Sequence, residues 1–414
     1  MHKRFLFISI LLFFMYQYTI SQTSNVGVLY ISENTKFSLV EDFTNLNTGA
    51  FYNDGETFIY RHFNNDGELD FYKDTGVTKF VGSTEQAITG TQVSYFYDVL
   101  LDNKSNVAPF KLSGNMDISG TTNFYQGIIE NDNFGGQITF NQNGTHVNAS
   151  DDSHVDGAVN KLGENEFVFP VGDGGFYRFT GVSSLKHSKT FFKTKFFFQN
   201  SNVFYPHEFK AGIIEEIDDQ EYWTIEKKDT HSPNGLITLS WRDVTTPSSM
   251  IEAAKKQALT IVRWDAITKM WVDEGAVIDL EAQTLTTAVK DYGVFTFGRI
   301  KTDVVLPCGL VVYNSITPNN DGKNDYFLID QSSAQCAKNL KVQVFNRWGV
   351  QVFETNEYGV NGNVFEGYST GRLTMSHSEQ LPFGTYYYII EYQYGDETIS
   401  NTHKQAGFLY LSAQ

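Results

Sequence analysis

The sequence predicts an all-β protein built from an N-terminal parallel β-helix, a middle antiparallel β-sandwich and a C-terminal β-sandwich. Aromatic residues make up 15% of the 414 residues, and the 34 glycines are spread along the chain, whereas prolines number 8. Aromatic side chains are enriched in strands, and Gly, Asn and Asp in the turns that join strands. A helix is expected at Ser249 to Gln257, where Ser249 and Glu252 have the spacing of a capping box.

The first 21 residues have the pattern of a secretory signal peptide. A basic start at Lys3 and Arg4 precedes an apolar run that ends at Tyr16, and small residues precede a cleavage point before Gln22. The apolar run of about twelve residues is shorter than the roughly twenty that span a bilayer. We therefore expect removal of residues 1–21 and no retained membrane span, the alternative being an uncleaved anchor.

Residues 22–175 have a repetitive texture. Phe51-Tyr-Asn-Asp-Gly-Glu returns twelve residues later as Phe63-Asn-Asn-Asp-Gly-Glu, and Asn and Gly tolerate the left-handed backbone of tight turns. Both β-hairpins and the coils of a β-solenoid suit this pattern. Later units, such as the one that begins at Phe110, lack the paired turns that hairpins need. A parallel β-helix is therefore preferred, with a β-sandwich as the alternative.

Two strings are expected to end the β-helix. They are Ser153-His-Val-Asp-Gly and the run from Phe167 to Arg178, and they resemble the corresponding segment in β-helical surface proteins of gliding Bacteroidetes. The acids around His154 could form a metal or acid–base site. A structural turn is the preferred interpretation.

Residues 176–302 predict the antiparallel sandwich, because strand-like runs alternate with turns. Most of the tryptophans lie here, and their side chains could stack on sugars. Core packing is the preferred interpretation because each lies within strand-like alternation. These tryptophans are Trp223, Trp241, Trp264 and Trp271.

Charge and motifs restrict the function. The formal net charge of −17 disfavours nucleic acid and anionic lipid as partners and is compatible with divalent cations or neutral glycans. No nucleophile elbow, phosphate loop or dinucleotide fingerprint occurs, and His207-Glu208 lacks the second histidine of a zincin helix. We therefore expect a protein that is not an enzyme. The alternative is a glycosidase or lyase on the β-helix, where two carboxylates about 5–10 Å apart suffice for hydrolysis.

The C-terminal module, residues 303–414, carries a spaced set of motifs. An Asn/Asp-rich turn opens it, an Arg-Trp-Gly turn and a Leu-Pro-x-Gly turn follow, and a Gly-Phe-Leu-Tyr-Leu strand closes it. The motif residues are Pro318, Asp321, Gly322, Asn324, Asp325, Arg347, Trp348, Gly349, Leu381, Pro382, Gly384, Tyr386 and Gly407.

In order and spacing these motifs resemble the gliding-motility-associated C-terminal domain, the type B sorting domain of the Bacteroidetes type IX secretion system. The resemblance implies an Ig-like β-sandwich, passage through the periplasm and across the outer membrane, and the translocon and its shuttle proteins as partners. Phe365-Glu-Gly367 stands where the family has Trp-Asp-Gly, and Phe383 stands at the acid of the family's Leu-Pro-Asp-Gly turn. The first change keeps an aromatic, an acid and a glycine, so we expect its packing role to survive.

Two further features of this module bear on stability. Cys308 and Cys336 are the two cysteines of the chain, and a bridge between them is worth about 3 kcal/mol in the chain-entropy model. Two buried thiols are the alternative. Asp321 and Asp325 gather oxygen atoms around a glycine turn, which suits calcium, or their side chains bond their own backbone. Apart from this possible calcium, no cofactor is expected.

The sequence therefore predicts a secreted or surface-displayed protein of adhesive or structural role, exported by the type IX machinery, with surface glycans as possible ligands. A carbohydrate-active enzyme and an accessory component of the export or gliding machinery remain the alternatives.

Overall fold

The computed structural model describes residues 21–185, 189–228, 235–289, 291–301, 310–330, 337–347, 349–369, 380–395 and 400–412. Strands dominate these residues, as predicted. No helix among them is long and apolar enough to cross a membrane. The predicted signal peptide, the proposed Cys308–Cys336 bridge and Trp348 lie outside the described residues, except that Ser21 is described.

The N-terminal strands wind into a parallel β-solenoid of about seven turns, each turn giving one strand to each of three sheets. Sheet A contains β1 (Gln22–Asn25), β4 (Asp42–Asn45), β7 (Phe63–Asn65), β10 (Gln86–Thr89), β13 (Phe110–Leu112), β16 (Ile129–Glu130), β19 (Val155–Asp156), β22 (Val171–Asp173) and the antiparallel β23 (Phe176–Tyr177). The solenoid part of sheet B contains β2 (Val28–Ile31), β5 (Ala50–Asn53), β8 (Glu68–Asp70), β11 (Val93–Phe96), β14 (Asn115–Ile118), β17 (Gln137–Phe140) and β20 (Val159–Leu162). Sheet C contains β3 (Lys36–Leu39), β6 (Glu56–Ile59), β9 (Val77–Gly82), β12 (Asp98–Asn103), β15 (Thr121–Gln126) and β18 (Thr145–Val147).

The parallel β-helix is confirmed, and its interior explains the aromatic content. Phe43 and Phe63 are register partners on successive coils, both buried, and their rings stack with centroids 5.7 Å apart. Asparagines form a second ladder, in which Nδ2 of Asn45 donates to Oδ1 of Asn65 at 2.8 Å. Because both amides are fully buried, each rung satisfies polar atoms that would otherwise be costly to bury.

The Asn-Asp-Gly units lie at the corners between strands, but not for the predicted reason. Gly55 and Gly67 are absent from the residues with positive φ. Instead, a Cβ on Gly67 would lie 2.3 Å from the carbonyl oxygens of Leu46 and Gly49 on the preceding coil. Glycine is needed at this corner because the neighbouring backbone approaches too closely for any side chain.

Sheet B continues without a break into the middle module, where its strands become antiparallel. From β20 the order is β25 (Phe191–Phe197), β27 (Tyr222–Lys227), β33 (Gly293–Ile300), β29 (Leu259–Asp265) and β30 (Met270–Asp273), with β26 (Ile214–Ile217) also on β33. Sheet D contains β21 (Phe167–Phe169), β24 (Thr180–Val182), β28 (Leu236–Ser240), β32 (Thr284–Ala288) and β31 (Val277–Asp279).

Side chains from sheets B and D share one core with the solenoid. Trp223, Trp241 and Trp271 are at most 3% exposed, and the partly buried Trp264 packs on Trp271 with ring centroids 5.7 Å apart. The tryptophans therefore serve the core, as preferred from the sequence, rather than an exposed sugar platform.

The predicted helix is present as α1 (Ser248–Lys255), but its capping box is wrong. Pro247 is the N-cap residue, and no side chain caps the helix. The hydroxyl of Ser249 donates to Glu216 on β26 at 2.8 Å, and Glu252 pairs with Lys255. Ser249 lies inside the first turn because proline, with its fixed φ, already supplies the start of the helix.

The C-terminal module is a second β-structure with its own core, antiparallel except for its parallel edge strand β35. Sheet E has the order β35 (Ser315–Ile316), β40 (Ser400–Leu411), β39 (Gly384–Gly395), β37 (Lys338–Phe345) and β38 (Gln351–Thr355). A small two-stranded sheet pairs β34 (Val311–Val312) with β36 (Ile329–Asp330).

Candidate functional site

The opening loop of the C-terminal module is held together by two aspartates. Asp325 accepts backbone N–H bonds from Asn320 at 2.6 Å and Gly322 at 2.7 Å, while Asp321 accepts from the N–H of Lys323 at 2.8 Å. Gly322 and Asn324 have φ values of 85° and 53°, in the left-handed region that favours these residue types. The motif residues of this loop therefore stabilise the conformation of the loop itself.

The same hydrogen bonds occupy much of the carboxylate surface that the calcium hypothesis requires. Among the described residues, no three His, Cys, Asp or Glu side chains form a group that could hold a metal ion. Backbone carbonyls and amides also serve calcium, so binding at Asp321 and Asp325 stays a prediction.

The Arg-Trp-Gly turn contacts the middle module. Gly349 has φ 74°, and its N–H donates to the carbonyl of Asn346 at 2.9 Å. A Cβ at Gly349 would lie 2.2 Å from Cβ of Ser183. Glycine is thus required here by the turn and by the neighbouring sandwich together.

Arg347 lines a cleft of about 580 Å³ between the last coils, sheet D and sheet E. Phe167 and Tyr387 supply aromatic walls, and Thr238 supplies a hydroxyl. His146 also lines the cleft, with Nε2 2.7 Å from the carbonyl oxygen of Val168. Residues of all three modules line this cleft. One of them is Arg347, which the sequence indicated only as a motif residue of the C-terminal module.

The Leu-Pro-x-Gly turn starts the long central strand. The N–H of Leu381 donates to the carbonyl of Gly367 at 2.9 Å, and the buried Tyr386 donates its hydroxyl to the carbonyl of Pro382 at 2.7 Å. Gly384 opens β39 with φ 151°.

At the two remaining motif positions, Gly407 and Pro318, a glycine packs directly against a ring. A Cβ at Gly407 would lie 2.4 Å from the ring of Tyr388, its partner across the sheet, so the ring covers the glycine. Pro318 lies beside Gly367, whose Cβ would be 3.3 Å from the proline ring. Phe365 is fully buried and packs on Phe353 with ring centroids 5.3 Å apart. The Phe-Glu-Gly departure therefore keeps a core aromatic.

A buried ion-pair network joins the middle and C-terminal modules. Nζ of Lys404 on β40 lies 2.9 Å from Glu274, and Nε of Arg263 on β29 lies 2.7 Å from the same carboxylate. Lys404 also donates to the carbonyl oxygen of Ala288 on β32. Burial acts to raise the pKa of Glu274, but Lys404 and Arg263 outweigh it and lower the pKa.

Apolar side chains surround this network. Leu236 and Ala288 of sheet D pack with Phe345 and Ile389 of sheet E in one buried cluster. The middle sandwich therefore covers the outer face of sheet E. The contact was not predicted, because Lys404 and Glu274 are 130 positions apart and lie in ordinary strand sequence.

The predicted junction at the end of the solenoid is a structural turn. The hydroxyl of Ser153 donates to the carbonyl of Gly127, and Nδ1 of His154 lies 2.9 Å from the carbonyl oxygen of Ser150. Asp151 pairs with Arg242 of the sandwich. Burial lowers the pKa of His154, so a neutral imidazole suits this packed position.

Asp156 lies in a separate acidic group at the end of sheet A. Burial, then Asp173, Glu130 and Asp132, raise the pKa of Asp156 to about 6. Glu130 is its register partner on the adjacent coil. A carboxylic acid with a raised pKa can donate a proton near neutral pH, so this group is the strongest acid–base candidate of the solenoid.

A second buried pair lies where the solenoid meets the sandwich. Arg178 and Glu221 are fully buried, and Nη2 of Arg178 lies 3.0 Å from Oε1 of Glu221. Thr246 donates its hydroxyl to the same carboxylate at 2.6 Å. Arg178 ends the predicted junction run, but its acidic partner lies 43 residues further on and carries no motif.

The comparison with known families assigns the C-terminal module. Residues 310–411 match the CHU_C type IX secretion signal domain, about a quarter of the chain. This signal domain indicates export by the type IX secretion system to the cell surface or the medium, with the secretion machinery as a partner. No curated protein and no solved structure matches the chain.

Proposed function

We propose that this chain is an adhesive surface protein that carries no enzymatic activity and binds glycans along one face of its solenoid. The observation that carries the proposal is a stripe of partly exposed tyrosines, with Tyr30, Tyr52 and Tyr95 on the outer face of sheet B and Tyr72 in the bend after β8. Tyr30 and Tyr95 are 45% and 42% exposed. Exposed aromatic faces with polar neighbours suit a sugar ring, which has one apolar face and a rim of hydroxyl groups.

The tyrosines are held in place by one another and by acids. The rings of Tyr52 and Tyr72 stack with centroids 4.4 Å apart, and Tyr30 packs on Tyr72 at 5.7 Å. The hydroxyl of Tyr30 donates to Asp54 at 2.9 Å, and the other oxygen of Asp54 accepts the N–H of Tyr72. A hydrogen bond to Glu68 raises the pKa of Tyr52. Such fixed aromatic faces lose little conformational freedom on binding.

The shape of the protein supports display. Strands in a sheet are about 4.8 Å apart, so seven coils form a rigid rod of roughly 34 Å. The secretion signal domain packs against sheet D of the sandwich and borders a cleft with the last coils of the solenoid. The tyrosine stripe on the first coils is therefore well separated from the domain that directs export.

Adhesion of cells that display the chain tests this proposal. Replacing Tyr72 and Tyr95 by Ala is expected to weaken attachment to a polysaccharide surface about tenfold, a factor that corresponds to 1.4 kcal/mol. Tyr125→Ala is the matched control, because Tyr125 is 57% exposed on sheet C, away from the stripe. Equal attachment by all variants, at equal surface amounts, would contradict the proposal.

A carbohydrate-active enzyme is the second candidate, and Asp156 favours it. With a pKa raised to about 6 and neighbouring acids, this residue has the character of a general acid. Reducing-end release from polysaccharides by the wild type, abolished in Asp156→Asn, would replace the adhesive proposal by the enzymatic one.

A further inference from the structure

A pocket of about 300 Å³ lies on the outer face of sheet B, where the solenoid meets the sandwich. One wall is the turn between β16 and β17, with Asn131 and Gly136, and the other is formed by Phe191, Lys193 and Lys228. Asn160 on β20 also lines the pocket. The volume is at the lower end of the range of ligand sites, which begins near 300 Å³.

Two buried amide oxygens in the pocket wall have no donor. Asn131 and Asn160 are 4% and 5% exposed, and no donor among the described residues reaches Oδ1 of either side chain. An unsatisfied buried acceptor is costly. The two side chains therefore indicate that a hydrogen-bond donor from outside the chain completes the pocket.

Neighbouring groups fix which atom of each amide is left over. Nδ2 of Asn131 donates to the carbonyl of Ala158 at 2.9 Å, so its Oδ1 must be the unpaired atom. Nδ2 of Asn160 lies 3.4 Å from the hydroxyl oxygen of Thr139, and that hydroxyl is hydrogen-bonded to Asp117. Because the Thr139 proton goes to Asp117, its oxygen accepts from Asn160, and the Asn160 oxygen needs another donor.

Lysines supply positive charge at the same pocket. Lys193 is the register partner of Asn160 across the sheet, and among the described residues it has no ion-pair partner. Nζ of Lys228 lies 4.6 Å from the centre of the Phe191 ring, which holds this ammonium at the rim by a cation–π contact.

The described lining of the pocket carries a positive excess. Asp132 at the rim is paired with Lys195, and Glu226 is the register partner of Lys193 on β27. Among the described residues that line the pocket, two are lysines and one, Asp132, is a carboxylate, in a chain whose formal net charge is −17. A local positive site in an acidic surface favours a small anion, because the overall field repels anions elsewhere.

We propose that this pocket binds a carboxylated sugar, a uronic acid residue of a glycan, at the end of the tyrosine stripe. Its carboxylate pairs with the ammonium groups of Lys193 and Lys228. The oxygens Oδ1 of Asn131 and Asn160 are covered in the free protein, and a small rotation of each amide on binding lets the sugar hydroxyls donate to them. This inference rests on the proposed function, because it specifies which class of sugar binds to the outer face of sheet B, at the end where the solenoid meets the sandwich.

Calorimetry on the full chain with trigalacturonate tests the proposal. Its methyl ester and inorganic phosphate are the comparison probes. Binding of the acid form at least tenfold tighter than of either comparison probe is expected. Absence of binding, equal affinity for the methyl ester, or equal affinity for phosphate would overturn the proposal.

Paired substitutions locate the site. Lys193→Gln with Lys228→Gln is expected to raise the Kd for trigalacturonate at least tenfold, and Asn160→Ala is expected to raise it several-fold. Lys36→Gln with Lys255→Gln removes the same charge from distant side chains that are 72% and 60% exposed, and is expected to leave the Kd unchanged. Equal losses in the two double variants would contradict this placement.

The tyrosine variants separate this inference from the proposed function. If Tyr72→Ala with Tyr95→Ala leaves attachment intact while trigalacturonate still binds at the lysines, the stripe fails and the pocket stands. If attachment depends on the tyrosines and trigalacturonate does not bind, the pocket fails and the stripe stands.

Discussion

Single glycines set the spacing between the coils of the solenoid. Gly67 and Gly76 lie where the backbone of the preceding coil comes within 2.3 Å and 1.9 Å of a Cβ position. Neither has a positive φ, so turn chemistry alone does not account for them. The sequence correctly marked the Asn-Asp-Gly corner at Gly67 as a turn, but contact between neighbouring coils is visible only once the coils are stacked.

Gly67→Ala is therefore expected to destabilise the solenoid by about 1–3 kcal/mol, the usual cost of overpacking. Gly27→Ala is its control, because a Cβ at Gly27 meets no atom within 4 Å and its φ is not positive. Urea unfolding followed by tyrosine fluorescence would measure both. Equal stability of the two variants would show that the coils can move apart to accept a methyl group.

Asp156 should give the protein a characteristic pH dependence. Its pKa in the folded protein is about 6, above the usual value near 4, so the folded state binds a proton that the unfolded state releases. Ionising this carboxyl costs stability progressively between about pH 4 and 6 and fully above that range.

We expect Asp156→Asn to raise the melting temperature by about 2–4 °C at pH 8, the shift that about 1 kcal/mol produces in a domain of this size. At pH 4 the substitution should have little effect, because the aspartate is then protonated in the folded state and about half protonated in the unfolded state. A larger gain at pH 4 than at pH 8 would contradict the raised pKa.

Calcium at Asp321 and Asp325 is testable by melting the chain with calcium and with a chelator. A structural ion raises the melting temperature by mass action, and Asp325→Asn should remove that rise. Equal melting temperatures with calcium and with chelator would exclude the ion and leave the loop to its own hydrogen bonds.

At the scale of elements, local pattern was sufficient for strand content and insufficient for pairing. The Phe51 and Phe63 units are alike in sequence, yet Phe51 lies in sheet B and Phe63 in sheet A. Phe63 instead pairs with Phe43, twenty residues earlier, on the preceding coil. The sequence of a strand indicates which of its residues are buried. Its partner strand is determined by the stacking of one coil on the next, which forms only after each coil has closed.

The α1 cap shows a similar limit. Ser249 and Glu252 have the right spacing for a capping box, but Pro247 starts the helix and Ser249 bonds to Glu216, which is 33 residues earlier. A tertiary partner outcompeted the local one. Arg178 and Glu221 also pair through the tertiary structure, and no sequence motif indicates that they are partners.

At the scale of the whole molecule, the signal domain and its cargo are packed together. Lys404 reaches across the interface to Glu274 and the carbonyl of Ala288. Lys404→Met keeps the apolar stem and removes the ammonium, leaving part of the Glu274 charge unpaired in a buried site. We expect a loss of about 3 kcal/mol, as for other broken buried pairs.

Lys341→Met is the control on the same sheet, since Lys341 pairs with Glu354 at a partly exposed site. Exposed pairs contribute about 0–1 kcal/mol, so this variant should unfold like the wild type. Limited proteolysis between the two modules would report the loosening directly. Equal cleavage of the Lys404 and Lys341 variants would indicate that the interface does not depend on the network.

The sequence motifs identified the signal domain because most of them fold that domain locally. They did not reveal its contact with the sandwich, since Gly349 against Ser183 and Lys404 against Glu274 join residues far apart in the chain. The tyrosine stripe was equally hidden, because Tyr30, Tyr52 and Tyr95 become neighbours or near neighbours on one face only through the coil register.

The central claim is that residues 310–411 direct this chain through the type IX secretion system. The most direct measurement is surface delivery of the chain truncated after residue 309, alongside a reporter that carries the N-terminal 21 residues and residues 310–414. We predict that the truncated chain stays in the periplasm and that the reporter reaches the surface or the medium. Normal surface delivery of the truncated chain would contradict the account.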